Sequence, residues 1–146
     1  MQLKDIESLK TMQIRAGSIF KVVFYRKDGV MPKGFGETSR LKYFVIVWVD
    51  EEGNFVATSL INTSVNINLA HVIAPYQYCI YPDKYEFLDG QYRYIDCYMV
   101  KILPKSRIEC EAEYIGVLED EDLERVKSLL YRSPVIGKDI IESFHI

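Results

Sequence analysis

The feature that most constrains the fold is a pair of apolar segments joined by a short turn. Residues 41–50 and 55–61 are rich in β-branched and aromatic side chains, and residues 51–54 between them contain Gly and Asn. Such side chains favour strands, and a short turn between two strands predicts an antiparallel hairpin. Because the first segment is almost continuously apolar, we expect it to be a central strand, buried on both faces of a sheet.

The segments around this hairpin predict helices and further short strands. Apolar residues recur at helical spacing in residues 3–14 and 118–131, and acids begin the second helix, where the helix dipole favours them. The other predictions are a strand over 19–25, a glycine-rich loop over 26–39, a hairpin of 85–88 and 92–95, strands over 97–103 and 109–117, and a helix over 138–144. This order predicts an α+β fold, a small antiparallel β-barrel with an N-terminal helix and C-terminal helices.

Length and composition predict a single domain over residues 1–146. The chain of 146 residues leaves no room for a second independent domain, and 49 % apolar residues are enough to build a core. Its longest apolar run, residues 43–49, is much shorter than the roughly 20 residues of a membrane-spanning helix. The N-terminus lacks the apolar block of a secretory signal. We therefore expect no membrane segment and a cytoplasmic location.

The cysteines and histidines predict neither a disulfide framework nor a metal site. Cys79, Cys97 and Cys110 are odd in number and widely spaced, so we expect reduced core thiols. The two histidines, His71 and His145, have no partner at metal-ligand spacing. No glycine-rich phosphate-binding motif is present either. The sequence therefore predicts no metal and no other cofactor.

Charge is unevenly distributed along the chain. The net charge is −3, but residues 10–42 carry eight basic and two acidic side chains, whereas residues 109–124 carry eight acids and no base. An acidic protein can still present a local positive face to an anionic partner. A solvated surface of uneven charge is the alternative interpretation.

The hairpin brings together residues that suit a phosphodiester. Arg40 and Lys42 begin its first strand, and Thr63 and Ser64 follow its second. Because the strands run antiparallel, the start of one lies beside the end of the other. A cation there can neutralise charge on phosphate oxygens, and a hydroxyl group can orient the phosphate. The alternative is a Thr or Ser that caps a turn beside a surface Arg.

Several short patterns in this order resemble the MazF/PemK family of toxin endoribonucleases, whose SH3-like barrel is shared with the CcdB-type gyrase poisons. They are an apolar strand after a Gly, a glycine-rich loop, a strand that opens on a cation, a strand that ends in Thr-Ser, a Tyr-rich strand, and an apolar-Gly-x-Leu segment before an acidic helix. In this chain they lie at residues 16–24, 27–39, 40–47, 60–64, 92–97 and 115–126. The resemblance covers about residues 16–131.

The resemblance implies a toxin–antitoxin endoribonuclease that cleaves single-stranded RNA without a metal ion, by attack of the 2′-OH on the scissile phosphate. Arg40 or Lys42 would stabilise the charged transition state, and Thr63 with Ser64 would bind the phosphate. Both cations remain candidates because Leu41 stands where the family has Pro.

The resemblance also implies partners. Lys27 and Lys33 of the glycine-rich loop would contact RNA, and exposed Tyr side chains would stack on bases. A homodimer and an acidic antitoxin protein are expected. The alternative function is a non-catalytic SH3-like protein-interaction module, gyrase-poison-like or phage-associated.

Overall fold

A curled antiparallel sheet forms the framework of the protein. The computed structural model describes residues 13–25, 39–63, 70–136, 140, 142 and 144, which contain seven strands and three α-helices. The strands are β1 Ser18–Tyr25, β2 Ser39–Val49, β3 Phe55–Asn62, β4 Gln77–Ile80, β5 Arg93–Asp96, β6 Lys101–Pro104 and β7 Glu113–Val117. The helices are α1 Ala70–Ile73, α2 Lys105–Glu111 and α3 Asp120–Arg132, with 3₁₀ turns at Ala74–Tyr76 and Glu86–Leu88. The predicted α+β class is confirmed.

The sheet has the order β4-β5-β3-β2-β1-β7, and β6 also pairs with β3. β3 pairs with β6 along its first residues and with β5 at its last two. All of these pairings are antiparallel. Irregular register in the β1–β7 and β2–β3 pairs accompanies the curl of the sheet.

The central hairpin forms as the sequence predicts. Tyr43 pairs with Ile61 and Val49 with Val56. At the turn, the Asp50 carboxylate accepts hydrogen bonds from the backbone N–H groups of Asn54 at 2.8 Å and Phe55 at 3.2 Å. These two bonds satisfy backbone donors that the turn would otherwise leave unpaired.

The two faces of β2 belong to two separate clusters of buried side chains. Val45 and Val47 pack with residues of β3, β5 and α3, whereas Phe44 and Ile46 pack with residues of β1 and α2. Side chains 44 to 47 are all 0 % exposed. Because successive side chains of a strand alternate between faces, an unbroken apolar run places apolar groups on both sides. The predicted double-sided burial is confirmed.

The predicted helix over 118–131 is observed as α3. Asp120, Glu121 and Asp122 occupy its first turn and Arg132 its last, the charge order that the helix dipole favours. Leu123, Val126 and Leu130 are buried in the first cluster. The amphipathic pattern therefore determines which side of the helix faces the sheet.

Three local predictions are wrong. In the segment 85–88, Glu86–Leu88 form a 3₁₀ turn instead of a hairpin strand, and this turn lets Tyr85 and Leu88 both be buried in the first cluster. The predicted strand over 97–103 is shorter than expected. It begins at Lys101 and ends at Pro104, and it pairs with the start of β3. The segment 109–117 is divided between the end of α2 and β7, because Ile108 of α2 packs into the second cluster.

Other predictions lie outside the described residues. These are the N-terminal helix over 3–14 apart from its last two residues, most of the loop over 26–39, and most of the helix over 138–144.

The three cysteines are free thiols, as the sequence predicts. Their placement as core residues holds only for Cys97, which is buried, whereas Cys79 is partly buried and Cys110 is exposed. Burial raises the pKa of Cys97 and also that of Cys79. A raised pKa keeps these two groups as neutral thiols, which are poor nucleophiles.

Candidate active site

An open cleft of about 320 Å³ lies where β2 begins and β3 ends. It contains three basic side chains, one hydroxyl side chain and three apolar or aromatic ones. The residues are Arg40, Leu41, Lys42, Tyr43, Ile61, Thr63 and Arg93. No Asp or Glu occurs among these lining residues, so the described part of the cleft has a positive charge.

The hairpin register brings the predicted residues together. Tyr43 pairs with Ile61, so the chain immediately before Tyr43 lies beside the chain immediately after Ile61. The ammonium group of Lys42 donates a hydrogen bond to Oδ1 of Asn62 across this pair. Arg40, Lys42 and Thr63 all line the same cleft. The expected proximity of the strand start and strand end is therefore observed.

Lys42 is an unusual lysine because its side chain is largely withdrawn from water. The residue is only 5 % exposed and pairs with Val22 of β1. Lysine is seldom buried without a polar partner. The side-chain oxygen of Asn62 accepts a hydrogen bond from the ammonium group and orients it. Because Lys42 lies two residues before Phe44 and pairs with Val22, its ammonium group is held on the face of β2 that carries the second cluster.

Arg93 is a third basic residue of the cleft, and sequence reasoning missed it. It begins β5, and its guanidinium carbon lies 5.0 Å from the centroid of the Tyr43 ring. Its Nε atom is buried and has no hydrogen-bond partner among the described residues. A guanidinium over an aromatic ring is held in place while its remaining N–H groups stay available to an anion.

Arg93 reaches the cleft through a long-range pairing. Ile95 of β5 pairs with Ile61 of β3, which places the start of β5 beside the end of β3. These strands are separated by about thirty residues of sequence. An Arg three residues after the Asp89–Gly90 turn was the available sequence signal, but its neighbour could not be identified without this pairing.

The chemistry of the cleft favours an oxyanion. Three basic residues line the cleft, and a bound anion would balance their charge. Guanidinium groups bind phosphate through two parallel N–H···O bonds, and a hydroxyl group adds an orienting donor. Thr63 is exposed at this position, so its hydroxyl is accessible to a ligand.

The remaining predicted site residues cannot be placed in the cleft. Lys27, Lys33 and Ser64 lie outside the described residues. His71 is exposed and does not line the cleft.

A second polar cluster lies away from the cleft, where α3 begins. Asp122 is 4 % exposed and accepts hydrogen bonds from the hydroxyl groups of Tyr78, at 2.5 Å, and Tyr85. The backbone N–H of Glu119 donates to the Tyr85 hydroxyl at 3.0 Å. Lys84 Nζ lies 3.8 Å from the same carboxylate. These groups satisfy one another, so the cluster attaches α3 to the sheet.

Burial, followed by the hydrogen bond to Asp122, raises the pKa of both Tyr78 and Tyr85. Ionising either phenol would place a second negative charge beside a buried carboxylate. The two tyrosines therefore remain neutral hydrogen-bond donors over the physiological pH range.

In the described part of the chain, no group of three or more His, Cys, Asp and Glu side chains is arranged to hold a metal ion. The described helices include none with the length and apolar character needed to cross a membrane.

Comparison with known proteins adds no family assignment. No protein-family model matches the chain, and a search of curated proteins finds no significant match. The resemblance to the MazF/PemK family thus remains a hypothesis that rests on short sequence patterns.

Proposed function

We propose that this protein is a toxin–antitoxin endoribonuclease that cleaves single-stranded RNA, with an SH3-like barrel of the MazF/PemK type. The observation that carries the proposal is that Arg40, Lys42, Arg93 and Thr63 line one cleft whose described lining residues include no carboxylate. A phosphodiester has the charge and the oxygen atoms that such a set of donors binds best.

The proposed reaction is an internal transfer. The ribose 2′-oxygen attacks the adjacent phosphorus, a new O2′–P bond forms, and the P–O5′ bond breaks. The 2′-OH loses its proton to water, and the departing 5′-oxygen takes a proton from water. The products are a 2′,3′-cyclic phosphate and a 5′-OH end.

In this mechanism, the basic residues act on charge that develops during the reaction. Negative charge grows on the non-bridging oxygens as the fifth bond to phosphorus forms, and fixed cations stabilise it. Arg40 is more accessible than Lys42, so its planar guanidinium is suited to direct contact. Lys42 supplies a fixed positive field from β2, and the Thr63 hydroxyl orients the phosphate. This supply of positive charge makes the reaction independent of a metal ion.

The proposal includes the expected partners and location. A homodimer would extend the RNA groove, and an acidic antitoxin would cover the basic cleft by charge complementarity. Ser64, Lys27 and Lys33 would add RNA contacts near the cleft. The setting of this activity would be the cytoplasm.

A non-catalytic protein-interaction module, gyrase-poison-like or phage-associated, is the second candidate. Two observations favour it: Lys42 is almost fully buried and bonded to Asn62, as a structural cation would be, and Leu41 is 55 % exposed at the cleft. In that case, the cleft residues would contribute to stability or partner binding. Their replacement would change one of these properties, and no RNA cleavage would be seen in either wild type or variant.

The test is cleavage of a long single-stranded RNA by purified protein in EDTA. Wild type should leave 5′-OH ends, and Thr63→Ala should cleave about 10- to 100-fold more slowly, because a hydrogen bond to a charged oxygen is lost. Arg132→Ala, which removes an exposed cation at the end of α3, is the matched control and should cleave like wild type. Intact RNA after incubation with folded wild-type protein would contradict the nuclease and favour the interaction module.

A further inference from the structure

Two exposed tyrosines form a defined aromatic pair where β4 ends and β5 begins. Tyr81 directly follows β4, and Tyr92 directly precedes β5. Their ring centroids are 5.3 Å apart with an interplanar angle of 78°, an edge-to-face contact. The residues are 50 % and 55 % exposed, so ring surface remains open to a ligand. Edge-to-face contact fixes the orientation of both rings, unlike that of isolated surface tyrosines.

The sheet register relates this pair to the basic residues. Asn62 of β3 pairs with Tyr94 of β5, and Tyr94 pairs with Cys79 of β4. Lys42 of β2 contacts Asn62 through its side chain. Paired residues project from the same face of a sheet, so these four positions form one row across four strands.

The next row of the same face contains the aromatic pair and a cleft arginine. Arg40 precedes Lys42 by two residues, Tyr92 precedes Tyr94 by two, and Tyr81 follows Cys79 by two. Because neighbouring strands run in opposite directions, the backward steps on β2 and β5 and the forward step on β4 all lead toward the same end of the sheet. A step of two residues along a strand keeps the side chain on the same face. Two strand spacings, about 10 Å, separate Arg40 from Tyr92 along this row.

This arrangement combines two complementary chemistries on one surface. The β2 side provides positive charge for a phosphate, and the β4–β5 side provides rigid aromatic surface for a flat ring. A single-stranded nucleotide carries both groups, and its unpaired base is free to stack on an aromatic side chain. A paired base in a duplex has no such free ring face.

We propose that Tyr81 and Tyr92 form a stacking subsite for an RNA base next to the phosphate held in the cleft. This inference rests on the proposed function, and it adds a reason why the protein would prefer single-stranded RNA. Tyr92 is the main contact because β5 lies nearer to β2 than β4 does, so Tyr92 is nearer to Arg40 in this row, and Tyr81 holds its ring in place.

The experiment measures binding without cleavage. The probe is a 2′-O-methyl single-stranded RNA with one 2-aminopurine, moved along the strand, and stacking of this base lowers its fluorescence. Wild type and Tyr92→Phe should bind alike and quench the probe at one position. Tyr92→Ala should lose the quenching and bind about tenfold more weakly. An abasic nucleotide at that position should remove the affinity difference between wild type and Tyr92→Ala.

The controls separate this inference from the nuclease. Tyr131→Ala replaces another exposed tyrosine, 59 % exposed on α3, and should quench and bind like wild type. Thr63→Ala should retain quenching while losing cleavage of unmodified RNA. Unchanged quenching in Tyr92→Ala, or no binding of the probe by folded wild type, would overturn the subsite. Tyr92-dependent quenching by a wild type that does not cleave RNA would overturn the nuclease and leave the subsite in place.

Discussion

The ammonium of Lys42 donates a hydrogen bond to the side-chain oxygen of Asn62 across the β2–β3 pair, at the end of the hairpin that forms the basic cleft. This contact connects fold and proposed function, because one bond orients the largely buried cation of a residue that lines the cleft. The two residues therefore allow stability and activity to be separated by mutation.

Asn62→Asp should retain stability while lowering activity. The carboxylate can still accept from Lys42, but it introduces a negative charge next to Lys42 and Thr63, which line the cleft, and it repels the RNA phosphate. We expect a free energy of unfolding close to that of wild type and a cleavage rate reduced at least about tenfold. Asn62→Ala should instead lower the free energy of unfolding by about 1–2 kcal/mol, because Lys42 loses a buried acceptor. Urea unfolding measures stability, and RNA cleavage measures activity. An Asn62→Asp protein that cleaves RNA as fast as wild type would contradict the expected loss of activity.

Arg93→Ala should weaken RNA binding in a salt-dependent manner. Loss of one cation that contacts phosphate reduces the slope of log affinity against log salt concentration by about 0.7 for a single strand. Affinity for an uncleavable RNA, measured over a salt series, gives this slope. Arg93→Lys should recover only part of the affinity, because lysine lacks the planar group that lies over Tyr43. An unchanged slope in Arg93→Ala would remove Arg93 from the RNA site.

Tyr85→Phe should destabilise the fold without altering the cleft. The change removes a hydroxyl that donates to Asp122 and accepts from the Glu119 N–H. Loss of this buried hydroxyl should lower the free energy of unfolding by about 1–3 kcal/mol. The matched control is Tyr131→Phe on the exposed side of α3, which should have little effect on stability. Equal stability of wild type and Tyr85→Phe would contradict the assigned role of the cluster.

Stability should fall in alkaline solution because of Tyr78 and Tyr85. Burial and the bond to Asp122 raise the pKa of both phenols above their usual value of 10.0. Above about pH 10 the unfolded chain releases these protons while the folded protein keeps them, so folding becomes less favourable as pH rises. The contribution is fully present below pH 10. Urea unfolding between pH 8 and about 11 should give a shallower decline for Tyr85→Phe than for wild type, and parallel curves would contradict this linkage.

The parts of the fold that depend on local pattern could be predicted from sequence. The apolar run before the Gly53 turn predicted both the β2–β3 hairpin and the proximity of Arg40 to Thr63, because register follows from the turn. The helix α3 was also predictable, since its apolar positions and terminal charges agree.

The parts of the fold that depend on contacts between distant residues could not be predicted from sequence. Tyr85 was expected in a strand, but its hydroxyl reaches Asp122 thirty-seven residues away, and this buried contact favours the 3₁₀ turn. Arg93 enters the cleft only through the pairing of β5 with β3. Local propensity contains no information on either partner.

The most direct test of the central claim compares two RNAs that differ in one oxygen atom. Once the cut site is mapped, the RNA and a copy with a single 2′-deoxy nucleotide on the 5′ side of the cut are incubated with wild-type protein in EDTA. Attack by the 2′-oxygen predicts cleavage of the RNA to a 5′-OH product and no cleavage of the copy at that position. Equal cleavage of both, or 5′-phosphate ends, would contradict the proposed mechanism.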